Sequence, residues 1–476
     1  MRHILLLATA LMLGAVSSPS LADEARVFTG VTILDPQTQS RTPDSYVVVR
    51  GARIEAIGEG RLPERYAGAV HSDMSGRFAM PGLFDTHAHI TLGPVTPQVV
   101  DGAVSLVVGG SDDITRHDAL MLLAAGVTTI RDPGGDTARM LAYRSAVAEG
   151  RLTGPEARIA GGVIDRSAFP VIGLVDRVDD AHSVADRVRA QAAAGVDYVK
   201  LYEALTLEDL AEGVAAAHAA DVGVIAHLGD VSWTEAAALG VDSLVHAMPI
   251  SPDLLPADRR AGYLADRRPG AYGFFEWYEQ VDLDGPEIQA MIRALAGKGV
   301  TVDATLIAFD LAFHGDDAAY RERDVDAAHP DLVENWRTVF RFDLGWEPQD
   351  HARARAVWPR VQRFVRMLHE GGVPLTLGTD MNNPFVAPGA SLAREAELHV
   401  EAGVPAWEVL KMATINAAQS LKMEDRAGRL APGMEADILF LEADPSLDIR
   451  ALTRVAAVME NGRLHQPENL KRAAKP

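Results

Sequence analysis

Two hydrophobic rhythms alternate along this chain. Short runs rich in Val, Ile and Leu occupy residues 81–90, 127–132, 157–163, 197–202, 222–227, 243–248, 300–307 and 374–380, and each reads as a buried strand. Stretches with helical spacing lie between them, such as residues 182–194, 207–220 and 362–370. Several joints from helix to strand carry Gly-Val, as in Gly126-Val127, Gly195-Val196, Gly240-Val241, Gly299-Val300 and Gly372-Val373. Glycine ends a helix there and valine begins a buried strand. Repeated strand-then-helix order predicts an α/β protein with a parallel sheet, and eight repeats predict a (β/α)8 TIM barrel over residues 81–423. A doubly wound open sheet is the alternative at the level of fold.

The two chain ends have another texture. Residues 26–58 read as short strands, with Asp35-Pro36 as a turn and Gly51 and Gly58 as boundaries. Residues 436–441 and 455–462 look alike, and Asn461-Gly462 is a strong hairpin signal. Residues 23–80 and 424–476 are therefore expected to build one small composite β-sandwich domain. Two long connections follow the sixth and seventh strands. One carries Tyr272, Phe274, Phe275, Trp277 and Tyr278; the other carries Phe313, Trp336, Phe340, Phe342 and Trp346. Loops after barrel strands form the active-site face, so these insertions predict a lid or substrate wall, with plain packing over the rim as the alternative.

Composition narrows the class. The chain has 476 residues, no cysteine, 48% hydrophobic and 23% charged residues, and a formal net charge of -21. Such acidity argues against nucleic acid or anionic membranes as partners, because both repel it. Arg2 and His3 precede an apolar run over residues 4–16, and Ser20-Leu21-Ala22 offers small residues for cleavage. Residues 1–22 are expected to be an export signal cut near Ala22, leaving a periplasmic or secreted protein with no membrane attachment.

Candidate chemistry begins at Pro81-Gly82-Leu83-Phe84-Asp85-Thr86-His87-Ala88-His89. On a strand, residues i and i+2 share a face, so His87 and His89 can offer both imidazoles to one ion. Zinc is the first expectation for imidazole ligands, though other divalent metals accept them. Catalytic residues of barrels sit at the C-terminal ends of strands. Read in order, those ends give His87 and His89, Lys200, His227, His246 and Asp380. Each alone has an ordinary explanation, such as a satisfied polar group or a helix cap for Asp380. Histidines on helical patterns, including His117, His182, His218 and His399, are assigned no ligand role.

Together with Gly126-Val127-Thr128-Thr129-Ile130-Arg131-Asp132, Ala413-Thr414-Ile415-Asn416-Ala417-Ala418 and the segment from Gly428 to Asp437, these residues give the chain a clear likeness. It resembles the amidohydrolase superfamily, and more closely the imidazolonepropionase-like branch that includes exported dipeptidases. The resemblance implies two zinc ions per chain. His87, His89 and Asp380 would hold one, His227 and His246 the other, and a carboxylated Lys200 would bridge them. It further implies that a metal-activated hydroxide attacks an amide carbonyl while Asp380 shuttles the proton. His246 or Tyr202 would steady the oxyanion. Tyr202, Arg131, Asn382 and Asn383 are candidate substrate contacts, Arg131 because guanidinium suits a carboxylate, with an ion pair to its neighbour Asp132 as the alternative.

The leading function is thus an exported metal-dependent amidohydrolase acting on a small peptide-like amide, a dipeptide or an N-acyl amino acid. A mononuclear deaminase, cyclic amidase or lactonase of the same superfamily is the alternative, and a non-catalytic metal-dependent binding protein is the alternative of another class. Homo-oligomerisation is left open.

Overall fold

The computed structural model describes residues 24–100, 102–167, 171–179, 181–341 and 345–476. The expected export signal and Phe342 lie outside the described residues. Among these residues no helix is long and apolar enough to cross a membrane.

Both chain ends enter one eight-stranded sheet. The first end supplies Arg26–Asp35, Ser40–Arg50, Arg53–Glu59, Val70–Asp73 and Phe78–Pro81, and the second supplies Ile438–Leu441, Val455–Glu460 and Arg463–His465. The seam is the antiparallel pairing of Phe78–Pro81 with Ile438–Leu441, Pro81 opposite Ile438 and Phe78 opposite Leu441. Alternate residues Phe28, Val47, Val49, Ile438 and Phe440 point into a shared apolar core. Two facing sheets were expected, and hydrogen bonding joins the strands into one. The reason lies in Arg26–Asp35, whose register shifts around Val31. Its first half pairs with Val70–Asp73 and its second half with Phe78–Pro81, so one strand serves two neighbours.

A strand forms at each of the eight predicted positions; Val127–Asp132 has the expected bounds and the other seven are shorter than expected. Leu83–Asp85, Val127–Asp132 and Glu156–Ile159 form a three-stranded parallel sheet. Tyr198–Leu201, Gly223–Ala226, Ser243–Val245, Thr301–Asp303 and Leu375–Thr376 belong to a seven-stranded parallel sheet, extended by Val163–Asp165 and Val175–Arg177. The pairing therefore does not run as one closed ring. Backbone hydrogen bonds still cross both gaps: Thr86 N donates to Leu377 O at 2.8 Å, and Asp197 N to Ile159 O at 2.9 Å. Helices 184–194 and 233–239 end on Gly195 and Gly240 in the left-handed conformation, φ 94° and 93°, as the Gly-Val joints predict.

Two departures matter for the site. The strand expected over 300–307 stops at Asp303, and Leu306–Phe313 is helical. Thr305 turns the chain with φ 44°, and the oxygens of the buried Glu395 carboxyl group accept Leu306 N at 3.0 Å and Ile307 N at 2.7 Å. A distant side chain thus satisfies the first N–H groups of that helix. The second departure is an antiparallel hairpin, Val95–Val100 with Ala103–Val108, in the connection after the first core strand. Gly102, between the two strands, takes φ 81°, a left-handed conformation that glycine adopts freely.

Candidate functional site

The first and last core strands build the floor of the site. Leu83–Asp85 ends two residues before His87, so His87 and His89 lie in the bend beyond it rather than on one strand face. Asp85 fixes that bend. Its Oδ1 accepts His87 N and Thr379 N, both at 3.1 Å, and its Oδ2 accepts Thr379 Oγ1–H at 2.6 Å. Asp380 N then donates to His87 O at 2.7 Å, and His89 N to Met381 O at 2.6 Å. This stitching brings Asp380 Oδ1 within 3.3 Å of His87 Nε2 and 3.2 Å of His89 Nε2. One ligand atom from each lies within 4.8 Å of the others, and all three residues are buried. Asp380 and His246 hold φ of 64° and 68°, the left-handed region that side chains other than glycine occupy at an energetic cost.

Each histidine of the floor is anchored through its other nitrogen. His87 Nδ1 meets Asp303 Oδ1 at 2.9 Å, His89 Nδ1 meets Gly134 O at 2.6 Å, and His246 Nδ1 meets Thr305 Oγ1 at 2.6 Å. Holding Nδ1 presents Nε2 as a lone-pair donor. Burial keeps the His246 imidazole well below its usual pKa and therefore neutral. Burial alone would raise the Asp380 carboxyl, but the charge and hydrogen bonds of His87 and His89 hold it well below the usual carboxylate range. Lys200 Nζ lies 3.3 Å from His87 Nε2 in a fully enclosed position, and burial lowers its pKa. The His227 ring stands 4.4 Å from that of His246. Its Nε2 meets Glu203 Oε1 at 2.9 Å, and its Nδ1 is buried with no hydrogen-bond partner among the described residues. A buried imidazole nitrogen without a hydrogen-bond partner, on a ring packed against that of His246, fits a metal ligand beside the group His87, His89 and Asp380.

Two expected substrate contacts do not reach the cavity. Arg131 is fully buried behind the floor, where its NH2 donates to Asp303 Oδ2 at 2.6 Å and its Nε to Thr86 O at 2.7 Å. It neutralises the aspartate that orients His87 and is not placed to meet a substrate carboxylate. Asn382 is buried too, donating to Asp118 Oδ2 at 2.6 Å, while its neighbour Asn383 lines the cavity. Tyr202 does line it, its ring 4.6 Å from that of His227, and burial keeps its phenol protonated and well above its ordinary pKa.

The cavity above the floor holds about 240 Å³. His89, Lys200, His227, His246 and Asp380 form its polar end, and Val163, Leu174, Phe274, Phe309 and Phe340 its apolar walls. Both aromatic insertions therefore contribute to the wall. Their other rings pack on one another: Phe275 with Trp346 at 5.0 Å, Phe313 with Trp346 at 6.0 Å. Asp303, Thr305 and Glu203 escaped the reading of the sequence. Asp303 carries the same signal as the candidate ligands, a polar residue closing an apolar strand, but a strand expected to reach residue 307 conceals it.

The amidohydrolase family profile matches residues 78–248 and 352–465. The chain belongs to the amidohydrolase family. The matched stretches contain His87, His89, Lys200, His227, His246 and Asp380, and the unmatched interval holds the two aromatic insertions. This amidohydrolase is 24% identical over 447 residues to the imidazolonepropionase of Cupriavidus necator, covering 89% of this chain and 91% of that protein. Among solved structures it superposes on a Xaa-Pro dipeptidase with bound methionine in the active site, with TM-score 0.66, 20% identity, and coverage of 93% and 100% of the two chains. Ochratoxinase of A. niger gives TM-score 0.66 at 18% identity, covering 93% of this chain and 96% of that one. These structural likenesses show the fold, an α/β architecture of the TIM-barrel kind. Family membership and the relatives make the protein a hydrolase of carbon–nitrogen bonds with small-molecule substrates.

Proposed function

We propose that this amidohydrolase cleaves the amide bond of a small peptide-like substrate at a centre of two zinc ions. The observation that carries the reading is the convergence of His87 Nε2, His89 Nε2 and Asp380 Oδ1 at the foot of a largely apolar cavity. Imidazole and carboxylate donors with their outer atoms already hydrogen-bonded suit zinc. His87, His89 and Asp380 would hold one ion and His227 and His246 the other. Burial lowers the Lys200 pKa and so favours the neutral amine, which can bond through nitrogen to carbon dioxide with loss of one proton, giving a carbamate that would bridge the pair.

When bound, the ions supply Lewis-acid polarisation of the amide carbonyl and lower the pKa of water. The remaining work falls to the chain. Asp380, ionised by its histidine neighbours, accepts the proton of the attacking water and delivers it to the leaving nitrogen. Tyr202 keeps its proton and donates a hydrogen bond toward the carbonyl oxygen as the carbon becomes tetrahedral, with His246 alongside. The apolar walls exclude bulk water.

In this reading the two parallel sheets, bridged at Thr86–Leu377 and Asp197–Ile159, act as one (β/α)8 barrel over residues 81–423. Residues 23–80 and 424–476 act as the accessory β-domain, and residues 1–22 direct export to the periplasm or medium.

The test is metal content per chain after purification with zinc and bicarbonate, together with turnover of a dipeptide and N-acyl amino acid panel with and without chelator. About two ions per chain and chelator-sensitive turnover are expected. About one ion, with deamination or cyclic-amide opening instead, would move the function to the mononuclear branch of the family. Metal binding without turnover of any such substrate would leave a binding protein.

A further inference from the structure

The cavity has a chemical polarity along its walls. Among the described residues that line it, Lys200 is the one lysine or arginine, and it sits at the floor against His87. Arg131 is sealed behind that floor by Asp303 and Thr86 O. Arg166, next to the wall residue Asp165, is held by both oxygens of Asp209 at 2.7 and 2.6 Å. The wall does carry two acids, Asp165 and Glu203. Asp165 is occupied by the backbone, accepting Ala204 N at 2.9 Å. Glu203 is not. Its Oε1 meets His227, its Oε2 has no hydrogen-bond partner among the described residues, and its side chain keeps 43% exposure. Tyr202 precedes it in the chain, and Asn383 and the rings of Phe274, Phe309 and Phe340 line the same cavity.

A substrate carboxylate entering this wall would meet carboxylates. A substrate ammonium would meet Glu203, and a neighbouring apolar side chain would meet the three phenylalanines. We propose that Glu203 is the specificity residue for a free α-amino group, so that the substrates are amides of unblocked apolar or aromatic amino acids rather than N-acyl amino acids. The scissile carbonyl then belongs to the residue whose amine Glu203 holds, and nothing in the wall requires a free carboxylate on the leaving side. This inference rests on the amide-hydrolase reading and narrows it.

The experiment compares kcat/KM of the zinc-loaded full chain on phenylalanine amide, N-acetylphenylalanine amide, Phe-Gly and Phe-Gly amide, in wild type and Glu203→Gln. In wild type, N-acetylation is expected to lower kcat/KM by about 10-fold or more, the scale of a hydrogen bond between charged groups, while amidating Phe-Gly changes it little. In Glu203→Gln the penalty for N-acetylation should collapse toward unity. A role for Glu203 that runs only through His227 would depress all four substrates alike and leave their ratios unchanged. The proposal is overturned if the acetylated substrate is cleaved as well as the free amine in wild type, or if Glu203→Gln leaves the ratio intact. The wild-type comparison decides the first point even if the variant does not fold. Failure to cleave any of the four, or any N-acyl amino acid, would instead overturn the amide-hydrolase reading itself.

Discussion

Asp303 joins the candidate metal site to the core, and its two roles can be separated by mutation. One oxygen orients His87 and the other neutralises Arg131, at 2.9 and 2.6 Å, and both side chains of the ion pair have 0% exposure. Removing one partner of such a pair strands the other charge in the interior, a loss of about 3–5 kcal/mol. Asp303→Asn should therefore destabilise by about that amount. Its carbonyl can still accept the His87 Nδ1 proton, so zinc affinity should fall little. Replacing both groups with apolar residues, Asp303→Leu with Arg131→Met, removes the stranded charge and should return stability to within about 1–2 kcal/mol of wild type, the hydrogen bond to Thr86 O being lost. The same double variant leaves His87 Nδ1 without an acceptor, and loss of such a partner weakens metal binding by about 10–100-fold. Urea unfolding in excess chelator measures the first effect free of metal linkage, and competition against a chromophoric zinc chelator measures the second. Stability and affinity should thus recover separately. A double variant with wild-type zinc affinity would show that Asp303 does not set the His87 ligand. A stable Asp303→Asn would show that the buried pair does not hold the core.

Asp380→Asn should lower turnover by about 10²–10⁴-fold, because the amide cannot accept the proton; a steady-state assay at matched metal occupancy checks it, and near-wild-type rates would exclude Asp380 as the shuttle. Lys200→Ala should lose metal on elemental analysis and regain part of its activity with added short-chain carboxylates, whereas full metal and full rate without rescue would exclude a bridging carbamate. Tyr202→Phe should lower kcat by about 10²–10³-fold with little change in KM if its hydroxyl donates to the oxyanion, and a pure KM effect would reduce Tyr202 to a wall residue. Burial pushes the Glu395 carboxyl from its ordinary 4.5 up to about 8, so between those values the folded state holds a proton that the unfolded chain has lost. Its contribution to stability is fully present below about pH 4.5 and is lost as pH rises toward 8. Glu395→Gln should flatten the decline of the unfolding midpoint across that window, and an unchanged slope would refute it; Asp85 and Asp437, each raised to about 7, add declines of the same sign that remain in the variant.

The candidate ligand residues were legible because each closes an apolar run that can be recognised locally. His227 follows Val224-Ile225-Ala226 and His246 follows Ser243-Leu244-Val245, so strand rhythm and barrel geometry together point to them. What orients the ligands was not legible, because orientation is a property of pairs. Asp303 reaches His87 across 216 positions, and Asn382 reaches Asp118 across 264. The same distance explains the misreading of Arg131. Its neighbour Asp132 suggested a local ion pair and its charge suggested a substrate, but only the fold reveals that Asp303 lies 2.6 Å away and that no solvent reaches either. Strand length failed for a related reason. Residues 300–307 are apolar enough for either state, and the choice of helix after Asp303 is made by Glu395, which satisfies Leu306 N and Ile307 N from another helix. In the insertions, sequence told that aromatic residues would gather but not which would face inward. Phe274 and Phe275 are adjacent, yet one lines the cavity and the other packs on Trp346. Successive residues on a helix point about 100° apart, so one neighbour is assigned to the substrate and the other to the core. On the proposed reading, selectivity would reside where local patterning carries least information, in the unmatched insertions and in the acid three residues beyond Lys200, while the candidate hydrolytic centre lies where it carries most.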